Sequence, residues 1–278
     1  MSYAINIRSI KRQLISSCLL IFALLSSSHA DSTDGTRPSI SIIIDDLGYQ
    51  LAAGTRAIEL PGPIAYAFLP HTPHAITLAK LAHSHNKEIM LHAPMQPANA
   101  DNNRLLGPGA LTMDMSEQQF IKTLQEDLAS IPHVIGINNH MGSLLTRHPG
   151  HMLWLMRELN RHGGLFFVDS LTSNQSVANK VADEFRVPAL KRDIFLDHHT
   201  DEESINEQFD KLIALAKKRG NAVAIGHPYT ETLNVLEQRL LELEELDINL
   251  IPVSDMVKQR RSPQWQASLF PSRKAAKN

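Results

Sequence analysis

SISIIIDDLG, residues 39–48, is the stretch on which the fold turns: an isoleucine-rich run from Ile40 to Ile44 stops at two adjacent carboxylates, Asp45 and Asp46. Such a run fits a strand buried on both faces, as a parallel sheet covered by helices requires. Neighbouring strand residues point to opposite faces, so the two acids can serve one site only if the backbone turns there. Leu47-Gly48 is the expected turn. The plain alternative is that one acid caps the following helix while the other is solvated.

Outward from this stretch, strand-like and helix-like segments alternate. The strand candidates are 40–44, 64–69, 88–91, 134–137, 165–168, 194–196, 222–225 and 248–251. Ser116 and Gln119 form a capping box ahead of Phe120, Ile121, Leu124 and Leu128. Met152, Leu155, Met156 and Leu159 make an apolar helix face that stops at Gly163-Gly164, and helices open near Asp201 and Thr230. Strand then helix, repeated, implies a parallel sheet with helices outside. Seven or eight such units predict an α/β fold, a closed or nearly closed (β/α) barrel of seven or eight parallel strands. No GxGxxG or GxxxxGK follows a strand, so nothing points to nucleotide binding. The segment from Pro94 to Met115 reads as a long loop, and residues 258–278 as a basic tail without periodicity, with Trp265 and Phe270 as its apolar points.

The 278 residues are 43% hydrophobic and 20% charged, with a formal net charge of −2, which argues against a nucleic-acid partner. In residues 1–30, Arg8, Lys11 and Arg12 precede an apolar segment from Leu14 to Leu25, and Ser28 and Ala30 sit where a signal peptidase requires small residues. This reads as a secretory signal peptide, with 31–38 as a polar linker. The apolar stretch is short of the roughly 20 residues that span a bilayer, so an uncleaved anchor is the weaker alternative. Cys18, the only cysteine, lies in that segment. The exported chain would have neither disulfides nor thiolates, and any metal must be held by His, Asp or Glu.

The polar residues fall where the strands end. Besides Asp45 and Asp46, the apolar runs stop at His92, at Asn138-Asn139-His140, at Asp169-Ser170, at Asp197-His198-His199 and at His227. Singly, each has a structural reading: a hydrogen-bonded histidine, a helix cap, a loop residue. In a parallel barrel those ends share one rim, where active sites lie. A mixed Asp/His cluster there suits a divalent metal, and imidazole with carboxylate favours zinc over magnesium or calcium.

The motifs IIIDDLG, LHAPM, GINNHMGS, FFVDSLTS, DIFLDH and AIGHPY, in this order between Ser39 and Val257, resemble the divergent polysaccharide deacetylase family, a branch of the metal-dependent carbohydrate N-deacetylases. The resemblance implies a distorted (β/α) barrel with a divalent metal, zinc by expectation, at the rim. It implies Asp45 as general base and Asp46 as metal ligand. It also implies two histidine ligands, normally from one His-x-x-x-His stretch. Here Gln96 stands four residues beyond His92, so His92 takes the first place and His140 is the expected second ligand, with His227 the alternative. His227 is the expected general acid, while Asn139 and Asp169 are expected to support the site or touch substrate, Asp169 by orienting a histidine. The arginine-proline segment that usually follows the metal motif is absent.

Together these readings give an exported hydrolase, dependent on a divalent metal expected to be zinc and held without cysteine, that removes N-acetyl groups from a periplasmic, peptidoglycan-type or other envelope polysaccharide. Hydrolysis of another bond at the same site is a second reading. A catalytically inactive carbohydrate-binding or scaffold protein is the third, and the broken His-x-x-x-His pattern favours it.

Overall fold

The first strand, β1 (Ser39–Leu47), is buried along its whole length except at Asp46. Its alternate residues face two cores. Ile40, Ile42 and Ile44 point outward into the layer between sheet and helices, while Ile43 points inward with Val223 and Ile225. This two-sided burial explains the unbroken apolar character of the run. Asp45 follows the direction of Ile43 and faces the barrel interior.

The computed structural model describes residues 37–261. The remaining strands are β2 (Ala65–Phe68), β3 (Glu88–Met95), β4 (Val134–Met141), β5 (Phe166–Asp169), β6 (Ala189–Lys191), β7 (Ile194–Phe195), β8 (Asn221–Gly226) and β9 (Asn249–Leu250). The helices are α1 (Leu51–Ile58), α2 (Ala75–Ser84), α3 (Glu117–Ser130), α4 (Pro149–His162), α5 (Ala178–Glu184), α6 (Glu202–Arg219), α7 (Thr230–Arg239) and α8 (Val253–Arg261). Every strand pair is parallel, in the order β6-β5-β4-β3-β2-β1-β8-β7, with β9 on the start of β1.

The barrel closes in an unusual manner. β6 and β7 lie at opposite ends of that order, yet only Arg192 and Asp193 separate them in the chain. They are two halves of one extended segment: Arg192 N–H donates to Asp169 O of β5 and Asp193 N–H to Val223 O of β8, both at 2.9 Å. One stretch of chain thus spans the gap, and the α/β barrel expected from the sequence is a distorted one with seven strand positions around it.

At the N-terminal end of the strands, α8 plugs the barrel. Val253, Met256 and Val257 join the inner core, the Glu88 carboxylate accepts from Ser254 N–H at 3.2 Å, and Ser41 Oγ donates to Ile251 O at 2.7 Å. Helix continues to Arg261, so residues 258–261, expected in a structureless tail, are helical. The expected signal peptide, most of the linker and the rest of the tail, with Trp265 and Phe270, lie outside the described residues. Among the described residues no helix is long and apolar enough to cross a membrane.

If α8 is the plug, truncating its central side chain opens a cavity. Met256 is fully buried, and Met256→Ala is expected to lower the unfolding free energy by about 2–5 kcal/mol in urea titration. An unchanged midpoint would show that the helix is not packed in the barrel.

Candidate functional site

The two adjacent acids reach one site because the backbone twists at Asp46 itself. Its φ is +60°, and the register of β1 on β2 shifts between Ile44 and Leu47. This bulge breaks the strict alternation of facings. The turn therefore comes one residue earlier than the expected Leu47-Gly48. Gly48, at φ +128°, then lets the chain leave past Thr72, whose Oγ1 would lie 2.0 Å from any added Cβ.

Around these acids the neighbouring strands bring histidines together. Asp46 Oδ1 lies 2.8 Å from His140 Nδ1 and 3.1 Å from His92 Nε2, and the two imidazole nitrogens are 3.2 Å apart. The buried Asp46 Oδ1 nevertheless has no partner with hydrogen-bond geometry. Three ligand atoms on a small triangle, with an orphaned oxygen at one corner, fit a single cation: tetrahedral zinc with bonds of about 2.0–2.1 Å separates its ligands by about 3.3 Å. Asp46, His92 and His140 are the group among the described residues able to hold a metal ion. Gln96 is committed elsewhere, its Oε1 accepting from Met113 N–H at 2.7 Å.

Asn138, marked in the sequence only as a strand-end residue and given no role there, links base and ligand. Its Nδ2 donates to Asp45 Oδ1 at 2.7 Å, which leaves its Oδ1 facing His92 Nδ1 at 2.8 Å. The acceptor at Nδ1 directs Nε2 of His92 toward Asp46 and His140. Asp45 Oδ2 lies 3.7 Å from that Nε2.

On the far side stands His227, its Nε2 3.8 Å from Asp46 Oδ2. Asp197 fixes the ring, with Oδ1 3.0 Å from Nδ1 and Oδ2 accepting from His227 N–H at 2.6 Å and Thr232 Oγ1 at 2.8 Å. Asp197 therefore does what was expected of Asp169. Asp169 instead accepts from Leu171 N–H at 2.8 Å and Ser176 Oγ at 2.6 Å, holding the loop after β5 and orienting no histidine. Asn139 is likewise engaged by backbone, accepting from Ser170 N–H at 2.9 Å and donating to Met141 O at 2.6 Å. Its side chain still borders the cavity.

Electrostatics separate the two acids. Burial pushes the Asp45 carboxyl up, only partly countered by His92, His227 and Asn138, which makes it a stronger base. Burial would raise Asp46 too, but His140 and His92 outweigh it and hold Asp46 well below the usual carboxylate range. In His92, burial is outweighed by Asp45 and Asp46, and its pKa rises. The two acids thus favour positive charge at this spot, whether a proton or a metal ion. His227 is raised to about 9, burial being overcome by Asp197 and then by Asp46 and Asp45.

Asp45, Asp46, His92, His140 and His227 all border a cavity of about 190 Å³, walled by Met141, Ser170, Thr172, Arg192, Phe195 and Ile225. Arg192, another residue missed in the sequence, lies over the Phe195 ring at 4.7 Å and donates from Nε to Ser170 O at 2.7 Å. It sits on the segment that closes the barrel.

A parallel, helix-wrapped barrel with this rim is a deacetylase-type architecture. Residues 42–257 match the divergent polysaccharide deacetylase family, and the chain belongs to that family. An uncharacterized protein of Haemophilus influenzae is 36% identical over 243 residues, covering 87% of this chain and 85% of that protein. The crystal structure of the uncharacterized protein ATU2773 from Agrobacterium tumefaciens C58 has a TM-score of 0.75 at 23% identity, over 80% of this chain and 90% of that one. The catalytic domain of peptidoglycan N-acetylglucosamine deacetylase from Eubacterium rectale shares the fold, with a TM-score of 0.52 at 13% identity over 81% and 93% of the two chains.

Removing Asn138 leaves Asp45 Oδ1 and His92 Nδ1 without their buried partner. Asn138→Ala is expected to lower stability by about 2–4 kcal/mol in chemical denaturation. Unaltered stability would mean that the two groups do not depend on this amide.

Proposed function

We propose that the protein is an exported, divalent-metal-dependent hydrolase that removes N-acetyl groups from an envelope glycan. The observation that carries this reading is the convergence of Asp46 Oδ1, His92 Nε2 and His140 Nδ1 beside a separate carboxylate, Asp45, and an aspartate-held imidazole, His227. Family membership supports the reaction class. The basic and apolar pattern of residues 1–30 supports export, with the periplasm as destination. Peptidoglycan N-acetylglucosamine, on which the Eubacterium rectale protein acts, is the first substrate to try.

Asp46, His92 and His140 would hold the ion, with zinc favoured by the imidazole-rich donor set. A bound divalent ion would supply a water activated near neutral pH and a polarised acetamide oxygen. Asp45, kept basic by burial, takes the proton of the attacking water. His227, charged at neutral pH, gives a proton to the departing amine nitrogen. Asp197 keeps the Nδ1 side of that imidazole occupied, so Nε2 faces the reacting groups. The inactive, glycan-binding reading drew its force from the missing His-x-x-x-His pair, and a triad completed from the adjacent strand weakens it.

Metal content and acetate release separate the roles. Asp46→Ala, His92→Ala and His140→Ala are each expected to lose bound zinc, whereas Asp45→Ala keeps zinc and loses at least about 100-fold in turnover. Chelation of the unsubstituted protein should abolish acetate release and zinc should restore it. Full activity in Asp45→Ala, or in the chelated protein, would contradict the assignment.

A further inference from the structure

A second cavity, of about 370 Å³, opens beside the first and shares Asp46, His140, Met141 and His227 with it. Only the larger falls within the usual size of small-molecule sites; the smaller suits a small group. The outer wall of the larger cavity includes Tyr49, Gln50, Leu105, Pro228 and Tyr229. Tyr49 is 51% exposed, Leu105 53% and Tyr229 44%, which makes this wall half of the six exposed large apolar side chains among the described residues. Exposed apolar side chains gathered at one cavity mark a binding surface.

The two tyrosines are held as platforms. The Tyr229 ring stacks on His227, with centroids 5.4 Å apart and planes 28° from parallel. Tyr49 reaches the loop after β3, where Gly107, at φ +74°, leaves room for its hydroxyl: an added Cβ would lie 3.1 Å from it. Tyrosine offers an apolar face with a polar tip. Apart from Asp46, His140 and His227, no charged residue among the described ones lines this cavity. A carboxylate or ammonium group would find no oppositely charged partner at the outer wall, whereas a neutral ring with C–H faces and hydroxyl edges would meet apolar rings, hydroxyls and the Gln50 amide.

We propose that the larger cavity is a subsite for one uncharged pyranose ring of a glycan chain, stacked against Tyr49 and Tyr229, next to the sugar unit that meets the triad. The inference deepens the deacetylase reading and rests on it for the position of the reacting unit. It makes the chain selective for a neutral, N-acetylated neighbour over a deacetylated or acidic one.

The test is calorimetric titration of the full chain, in an Asp45→Asn background that prevents turnover, with the tetramer of N-acetylglucosamine and with its fully deacetylated counterpart. Tyr49→Ala and Tyr229→Ala are each expected to raise Kd for the neutral tetramer roughly threefold to tenfold. Tyr49→Phe should leave it nearly unchanged, and the cationic tetramer should bind more weakly than the neutral one. Thermal unfolding midpoints of the variants verify their folding. Unchanged Kd in both alanine variants, equal binding of the two tetramers, or no binding of the neutral one overturns the subsite. Acetate release by the unsubstituted chain is read separately. Binding that depends on the tyrosines without acetate release would overturn the hydrolase reading and leave the subsite standing. Acetate release with unchanged Kd in the tyrosine variants would do the reverse.

Discussion

The left-handed backbone at Asp46 is the constraint on which the site depends. A regular strand would send Asp45 and Asp46 to opposite sides of the sheet, one into the barrel and one among the helices. The bulge between Ile44 and Leu47 brings both to the rim. A non-glycine residue at positive φ costs on the order of 1 kcal/mol, and Asp tolerates it better than most. The surrounding strand leaves little freedom to relax, because β1 is paired with β2 and β8 and buried on both faces.

The rest of the centre is built by register. In the pairing of β3 with β4, His92 lies opposite Asn138 and Pro94 opposite His140. Two histidines on neighbouring parallel strands, rather than four residues apart on one stretch, therefore converge on Asp46. Asn138 sits between them and Asp45, tying base and ligands into one buried network. The opposite wall comes from β8, the segment joining β6 to β7 and the chain just after β7, which place Asp197 behind His227 and Arg192 over Phe195. Closing the barrel and completing the site are thus done by the same few residues.

Much of this was legible in the sequence. The apolar runs identified eight of the nine strands among the described residues, and their polar ends marked the rim, because parallel strands align those ends. β6 escaped notice because Ala189–Lys191 is three residues long and runs into Arg192-Asp193, with no apolar pattern to read. α1, α2, α5 and α8 were not singled out. Three lack a side-chain N-cap, and α8 ends in Lys258, Arg260 and Arg261, which resembled the start of a tail. Asn138 and Asp197 act through partners 30 or more residues away, so no local spacing announces them. Asp169 misled for the opposite reason: its place at a strand end matched the rim, but its hydrogen bonds go to its own loop.

The most direct test of this account is zinc-edge X-ray absorption on the zinc-loaded chain and its His140→Ala variant. The account predicts a first shell near 2.0–2.1 Å containing two imidazoles in the parent, falling to one, with weakened binding, when His140 is removed. Two imidazoles retained in His140→Ala would place another histidine on the ion and contradict a centre assembled across β3 and β4.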